Sequence, residues 1–258
     1  MIFIIGGKGL TGSALVRYAK EKNIEIKIIQ KENKNEFIGK SCDILIFANG
    51  NALKYKANED ALFDFNASLS SLAEYIHGIK FKKFVHLSTV DVYDKKTSNE
   101  TTKEDAIIDP SLLDVYGYHK LLAENYVKHF CDDYLIFRLS GLVGIGTRKN
   151  PAYDFCKQGK KVMTSSNSTM NFINTSLVAK AIFSILDLKI SNQIFNLASK
   201  NSIKIGDIKK VVGFDSEYTE DAEHHIQNYM INSEKIQEYV EMSTSEEAID
   251  EYFKSLRE

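Results

Sequence analysis

The chain opens with four apolar residues, Ile2-Phe3-Ile4-Ile5, that run straight into Gly6-Gly7-Lys8-Gly9-Leu10-Thr11-Gly12. A β-rich apolar run, a glycine turn and a helical pattern over Ser13–Lys22 together predict a strand–turn–helix unit. Two residues separate Gly6 from Gly9, and two more separate Gly9 from Gly12. At a first βα turn this spacing permits a tight turn and a close approach of bare backbone to a pyrophosphate at the helix N-terminus. A plain glycine-rich turn satisfies the same pattern, so the rest of the chain must decide between the two.

Apolar β-rich runs at Ile24–Ile29, Asp43–Ala48, Phe84–Ser88 and Tyr134–Leu139 alternate with helical patterns over Ala61–Ile76 and Tyr116–Phe130. This alternation predicts a doubly wound α/β fold of Rossmann type, a parallel sheet with right-handed crossovers. Beyond it come a helix near Ser176–Leu188, a short strand at Gln193–Leu197 and a helix near Ser245–Leu256. The reading is a dinucleotide-binding domain over residues 1–141, rejoined by about 172–198. A smaller substrate-binding cap is expected from 142–171 and 199–258.

Composition narrows the partners. With 258 residues, 43% hydrophobic and 26% charged, the chain has the make-up of a globular protein with a sizeable core. A net charge of −2 supplies no global field for nucleic acid or an anionic membrane. The apolar runs are too short for a membrane span, and the N-terminus lacks the pattern of a signal peptide. Cys42, Cys131 and Cys156 are odd in number and widely spaced, which reads as reduced thiols in the cytoplasm. His224-His225 has no third ligand at metal spacing, so no metal is expected.

Chemistry enters at Tyr116-Gly117-Tyr118-His119-Lys120. A tyrosine and a lysine four residues apart share one helix face. A lysine beside a tyrosine favours the phenolate and is expected to lower its pKa. Three such pairs occur, Tyr18/Lys22, Tyr116/Lys120 and Tyr153/Lys157, where chance alone gives about one or two. Neighbouring residues single out the second. His86-Leu87-Ser88-Thr89-Val90-Asp91-Val92-Tyr93 places a hydroxyl residue four positions before a tyrosine, and Asn66 lies in Asp64-Phe65-Asn66-Ala67. Leu121-Leu122-Ala123-Glu124 follows Lys120. Further on come Phe137-Arg138-Leu139, Leu142-Val143-Gly144, Asn171-Phe172-Ile173-Asn174 and Ile194-Phe195-Asn196-Leu197.

In order and spacing these segments resemble the extended short-chain dehydrogenase/reductase family, the NAD-dependent epimerase/dehydratase-like enzymes of nucleotide sugars. The resemblance spans most of the chain. It implies Tyr116 as general acid or base, and Lys120 holding the nicotinamide ribose. Thr89 would bond the reacting oxygen, with Ser88 as the weaker candidate. Gly6, Gly9, Leu10, Gly12, Ala48 and Asn66 would line the cofactor. Singly, each has an ordinary structural reading; together, after a glycine loop, they point to a site.

Strand two ends in Ile29-Gln30-Lys31, without the acid that commonly binds the ribose 2′-hydroxyl of NAD. Lys8 in the loop and Lys31 suit an extra phosphate, as in the GDP-fucose synthase-like reductases of the family. NADP(H) is therefore favoured, with NAD the alternative. Two residues after Thr89, where dehydratases use glutamate to take a proton from carbon, stands Asp91, preceded by Val90. The cysteine and histidine of the synthase's epimerisation are missing. What remains is reduction of a nucleotide-linked keto-sugar, in a pathway to surface polysaccharide. A 4-epimerase or 4,6-dehydratase with tightly held NAD is the rival, and a non-catalytic dinucleotide sensor the alternative of another class. Asp91, Arg148, Lys149 and Asn171 are the candidate substrate contacts. The resemblance also implies a homodimer formed through the helices of 61–76 and 116–130.

Overall fold

In the computed structural model of the protein, residues 1–51, 54–157 and 159–257 are described. β1 (Ile2–Ile5) is buried along its whole length, as a strand covered on both faces must be. After it come α1 (Leu10–Glu21), β2 (Ile26–Ile29), β3 (Ile44–Phe47), α2 (Lys54–Glu59), α3 (Ala61–Phe65) and α4 (Ser71–Gly78). β4 (Lys83–Thr89), α5 (Val115–Phe130), β5 (Tyr134–Leu139), β6 (Gly141–Val143), α6 (Pro151–Cys156) and β7 (Thr169–Met170) follow. The chain continues through β8 (Phe172–Asn174), α7 (Thr175–Asp187), β9 (Gln193–Leu197), β10 (Ile203–Lys204), α8 (Ile208–Val212), α9 (Glu234–Gln237) and α10 (Ser245–Ser255).

Six strands form one sheet in the order β2-β1-β3-β4-β5-β9. β1 pairs in parallel with β2 on one side and β3 on the other, and β3 pairs in parallel with β4. The connections leave β1 in opposite directions, which opens a crevice beyond the carboxyl ends of β1 and β3. The glycine loop lies at that switch point, and the Ala48 N–H donates to the Ile5 carbonyl at 3.0 Å across it.

The helix expected over Ala61–Ile76 is present and runs without interruption from Ala61 to Gly78. α3 continues into α4 through one wide π-type turn, Asn66–Ser70. α1 starts at Leu10, three residues before the expected start. α2 was not foreseen, because six residues are too few to display a helical period. The same holds for the two- and three-residue strands β6, β7, β8 and β10.

Two compact units divide the chain. The first comprises residues 1–94, 107–138 and 182–195, with a core that includes Phe3, Ile5, Phe47, Leu72, Phe84, Val127 and Ile136. The second comprises residues 95–106, 139–181 and 196–258, around Val143, Phe155, Phe172, Ile205 and Tyr252. In it β6 pairs in parallel with β8, and β10 antiparallel with β7. Residues 95–106, 139–141, 172–181 and 196–198, expected in the dinucleotide domain, belong to this second unit.

Candidate active site

The glycine loop is built from backbone. A Cβ on Gly12 would collide with the Gly6 carbonyl and would lie 2.9 Å from the Gly7 Cα, so only glycine lets α1 start this close to the strand end. Among the described residues no side chain caps α1 at Gly9. Its first N–H groups and dipole therefore face outward, an arrangement suited to a phosphate. This cradle fits the pyrophosphate of a dinucleotide. Gln30, at the end of β2, borders it. With its amide oxygen turned toward the loop, Gln30 accepts from the backbone N–H of Gly7 at 2.9 Å and of Lys8 at 3.0 Å. Lys8 and Lys31 are exposed.

Thr89 ends β4 and Tyr116 lies in the first turn of α5. Asp114 caps that helix, its Oδ1 accepting from the Gly117 N–H at 2.7 Å. Gly117 is glycine because a Cβ there would strike the Asp91 carbonyl. The start of α5 therefore sits directly on the turn after β4, and the Thr89 hydroxyl is among the groups that act on the Tyr116 phenol. Thr89 Oγ1 also accepts from the Asp91 N–H at 3.1 Å.

The electrostatics differ from expectation. Tyr116 is pushed above the ordinary tyrosine value, first by burial and then by Asp91 and Asp64. The opposing influences are Lys54 and the Thr89 hydroxyl. Lys120 does not lower it; this lysine is 4% exposed and donates to the Leu87 carbonyl at 2.9 Å. Burial pushes Lys120 down to about 8, against the pull of Glu124 and Asp64. His86, fully buried with both ring nitrogens unpartnered, is held neutral by burial and by Lys120.

Ser88, the weaker candidate, is committed elsewhere: its hydroxyl donates to Glu124 at 2.6 Å. Glu124 also accepts from Arg138 Nε at 3.1 Å and Nη2 at 2.8 Å, and Arg138 Nη1 donates to the Tyr93 hydroxyl at 2.9 Å. Asn66 is exposed on the wide turn. The residue of that segment that meets α5 is Asp64, fully buried, 2.7 Å from His119 Nδ1 and accepting from Asn51 Nδ2 at 2.9 Å. Asp91 is ion-paired with Lys54 at 2.7 Å, and Lys54 also reaches Asp114 at 3.0 Å.

In the second unit, Arg148 and Lys149 are exposed on the loop between β6 and α6. Asn171 is 1% exposed, and its amide is used internally. It donates to the carbonyls of Ser199 and Asn201 and accepts from the Ser140 hydroxyl and the Ser199 N–H. With two donor and two acceptor contacts made, Asn171 has no polar atom left for the expected substrate contact. Among the described residues, no cluster of His, Cys, Asp and Glu could hold a metal ion, and no helix is long and apolar enough to cross a membrane.

The family model described as NAD dependent epimerase/dehydratase matches residues 2–198. The chain belongs to this family. Membership makes it an NAD(P)-dependent enzyme of the oxidoreductase type. No curated protein matches the sequence. Among solved structures, it is similar to UDP-glucuronic acid 4-epimerase from Bacillus cereus in complex with UDP-glucuronic acid and NAD. That likeness is 17% identical, covers 99% of each chain and has a TM-score of 0.78. A dTDP-4-dehydrorhamnose reductase from Clostridium acetobutylicum is 19% identical over 100% of this chain and 99% of that one, with a TM-score of 0.78. RMD from Pseudomonas aeruginosa, complexed with NADPH, is 16% identical over 99% of each chain, with a TM-score of 0.77.

Sequence reasoning missed Lys54, Asp64, Asp114 and the amide of Gln30. Asp114 carried a signal, an N-cap residue immediately before a helical pattern. Gln30 stands at the strand end where an acid commonly binds the ribose of NAD. Lys54 and Asp64 carried none, because their partners lie far away in sequence, at Asp91 and His119.

Proposed function

We propose that this member of the epimerase/dehydratase family reduces a nucleotide-linked keto-sugar with NADPH, in the synthesis of a surface polysaccharide. The observation that carries the reading is the state of Asp91. A dehydratase needs a carboxylate at this position to remove a proton from carbon, and here that carboxylate is bound by Lys54. The Thr89–Tyr116 hydroxyl pair remains, which suffices for reduction.

The glycine loop and the N-terminus of α1 would hold the pyrophosphate, and Lys120 the nicotinamide ribose, with Lys8 and Lys31 near the adenosine phosphate. A bound nicotinamide supplies a hydride to the carbonyl carbon. Thr89 orients the carbonyl oxygen, and Tyr116 transfers its phenolic proton to that oxygen as negative charge develops there. The product is the alcohol, and the phenolate recovers its proton from solvent. A pKa above the ordinary tyrosine value keeps Tyr116 protonated at neutral pH, as a proton donor requires.

The second reading, a 4-epimerase with tightly held NAD, draws equal support from the likeness to the Bacillus cereus enzyme. The aromatic surface at the end of α5, where Phe130 is 47% exposed and packs on Tyr126, supports a homodimer through this helix.

The test is NADPH oxidation against a panel of 4-keto nucleotide sugars. The wild type is expected to turn over at least one of them. Tyr116→Phe is expected to lose about 10²–10⁴-fold in kcat while binding cofactor normally. NAD retained through purification, with no net NADPH oxidation, would turn the assignment to the epimerase.

A further inference from the structure

Lys54 connects two segments that must stay in register for Tyr116 to work. Its ammonium lies 2.7 Å from Asp91 Oδ1, on the turn after β4, and 3.0 Å from Asp114 Oδ2, at the cap of α5. Asp91 in turn reaches Thr89: its N–H donates to Thr89 Oγ1, and its Oδ2 lies 3.4 Å from the same oxygen. Asp114 holds the Gly117 N–H, one residue beyond Tyr116. The two segments already touch where Gly117 meets the Asp91 carbonyl. All of these residues belong to the first unit.

We propose that Lys54 is the positioning residue of this site, clipping the start of α5 to the strand-end turn and placing a positive charge between the carboxylates of Asp91 and Asp114. The proposal rests on the reading of Tyr116 as the proton-transferring group. The groups that act on the phenol are Asp91 on the turn, Asp64 on α3, Lys54 on α2 and Thr89 on β4. Both carboxylates hold the proton on the phenol, and Lys54 opposes them. The usual division of labour, in which the lysine four residues on acts on the tyrosine, is thus split. Lys120 is buried against the Leu87 carbonyl, and the cation acting on the phenol comes from α2. In the sugar-oxidising direction, where Tyr116 must lose its proton, the loss of Lys54 makes the phenol harder to ionise. Loss of the clip also frees the turn and the helix cap to move apart.

Lys54→Met and Lys54→Arg test this, with three measurements on each. In the free protein, amide hydrogen exchange of Gly117 and Asp91 is expected to speed up about tenfold in Lys54→Met and to return to the wild-type rate in Lys54→Arg. In the oxidising direction, the acidic limb of kcat against pH is expected to move up by about one unit in Lys54→Met. The Kd for NADPH stays at the wild-type value in both variants, which separates the effect from the part assigned to Lys120. Unchanged exchange at both amides in Lys54→Met overturns the clip. A fall in kcat by the same factor at every pH overturns the electrostatic part. If the wild type acts on no nucleotide sugar, the proposed function fails, and the exchange measurement alone decides the role of Lys54.

Discussion

Helix α5 bears on two polar clusters, and they differ in closure. Around Glu124, Ser88, Arg138 and Tyr93 form a network with almost no solvent: the Arg138 side chain is 2% exposed and that of Glu124 is 0%. Two turns earlier, at the start of the helix, Lys54 pairs with Asp91 and Asp114, with side-chain exposures of 39%, 14% and 32%. In the closed cluster burial opposes the Arg138 charge, but Glu124 and Tyr93 more than offset this and hold the guanidinium above its ordinary value. A carboxylate that accepts from a hydroxyl and from two nitrogens of a buried arginine is not available for proton transfer. The open cluster has the opposite character, since its groups are partly exposed to solvent. The closed cluster fixes the helix, and the open one, at the helix start, is where the proposed proton transfer would take place.

The largest effect comes from opening the closed cluster. Glu124→Gln leaves the Arg138 guanidinium buried without its counter-charge, a change that costs about 3–5 kcal/mol. Urea denaturation is expected to show a midpoint lowered to match, with an unchanged slope. A variant as stable as the wild type would mean that the network is not closed, and the contrast between the two clusters would be lost.

Lys120 sits between the clusters and sharpens the contrast. Its folded pKa is about 8 against an ordinary 10.5, so folding penalises its charged form. The penalty is in full force below pH 8. It fades as pH rises from about 8 to about 10.5, where the unfolded chain binds more protons than the folded one. Stability is therefore expected to rise with pH across that window. Lys120→Met removes the penalty and is expected to be more stable at pH 7 by on the order of 1 kcal/mol, with the rise across the window abolished. Cofactor affinity is expected to fall in the same variant. A thermal melt series against pH, run beside a cofactor titration, checks both outcomes. Gaining stability while losing affinity is what a functional charge held in a buried place should do.

Much of this arrangement could be read from local pattern. Ile2–Ile5 followed by Gly6, Gly9 and Gly12 defines the βα turn within twelve residues, and Thr89, Tyr116 and Lys120 each sit in a short recognisable segment. The electrostatics could not be read this way. The lysine four residues after Tyr116 pointed to a lowered phenol pKa, but burial and two carboxylates raise it, and the opposing cation comes from α2, more than sixty residues upstream. Asn66 and Asn171 show the same limit from the other side. Both fall in matching segments, yet one is exposed on a wide turn and the other spends its amide on Ser140, Ser199 and Asn201. Sequence spacing places a residue on an element. Which neighbours use up its polar atoms depends on packing between distant segments.

The smallest expected effect lies at the glycine loop, where Gln30 is a case between the two clusters. Its oxygen is committed to the N–H groups of Gly7 and Lys8, while the residue is only half-buried. Gln30→Glu keeps the length of the side chain and the acceptor for both N–H groups, so the loop should hold its shape. What changes is one negative charge at the end of β2, where the adenosine ribose is expected. A carboxylate there welcomes a 2′-hydroxyl and repels a 2′-phosphate. If Lys8 and Lys31 draw NADPH, the ratio of kcat/KM for NADPH to that for NADH is expected to fall about tenfold in Gln30→Glu, on the order of 1.4 kcal/mol. The melting temperature should stay near that of the wild type. An unchanged ratio would mean that the adenosine ribose lies away from Gln30, and the basis for preferring NADPH would go with it.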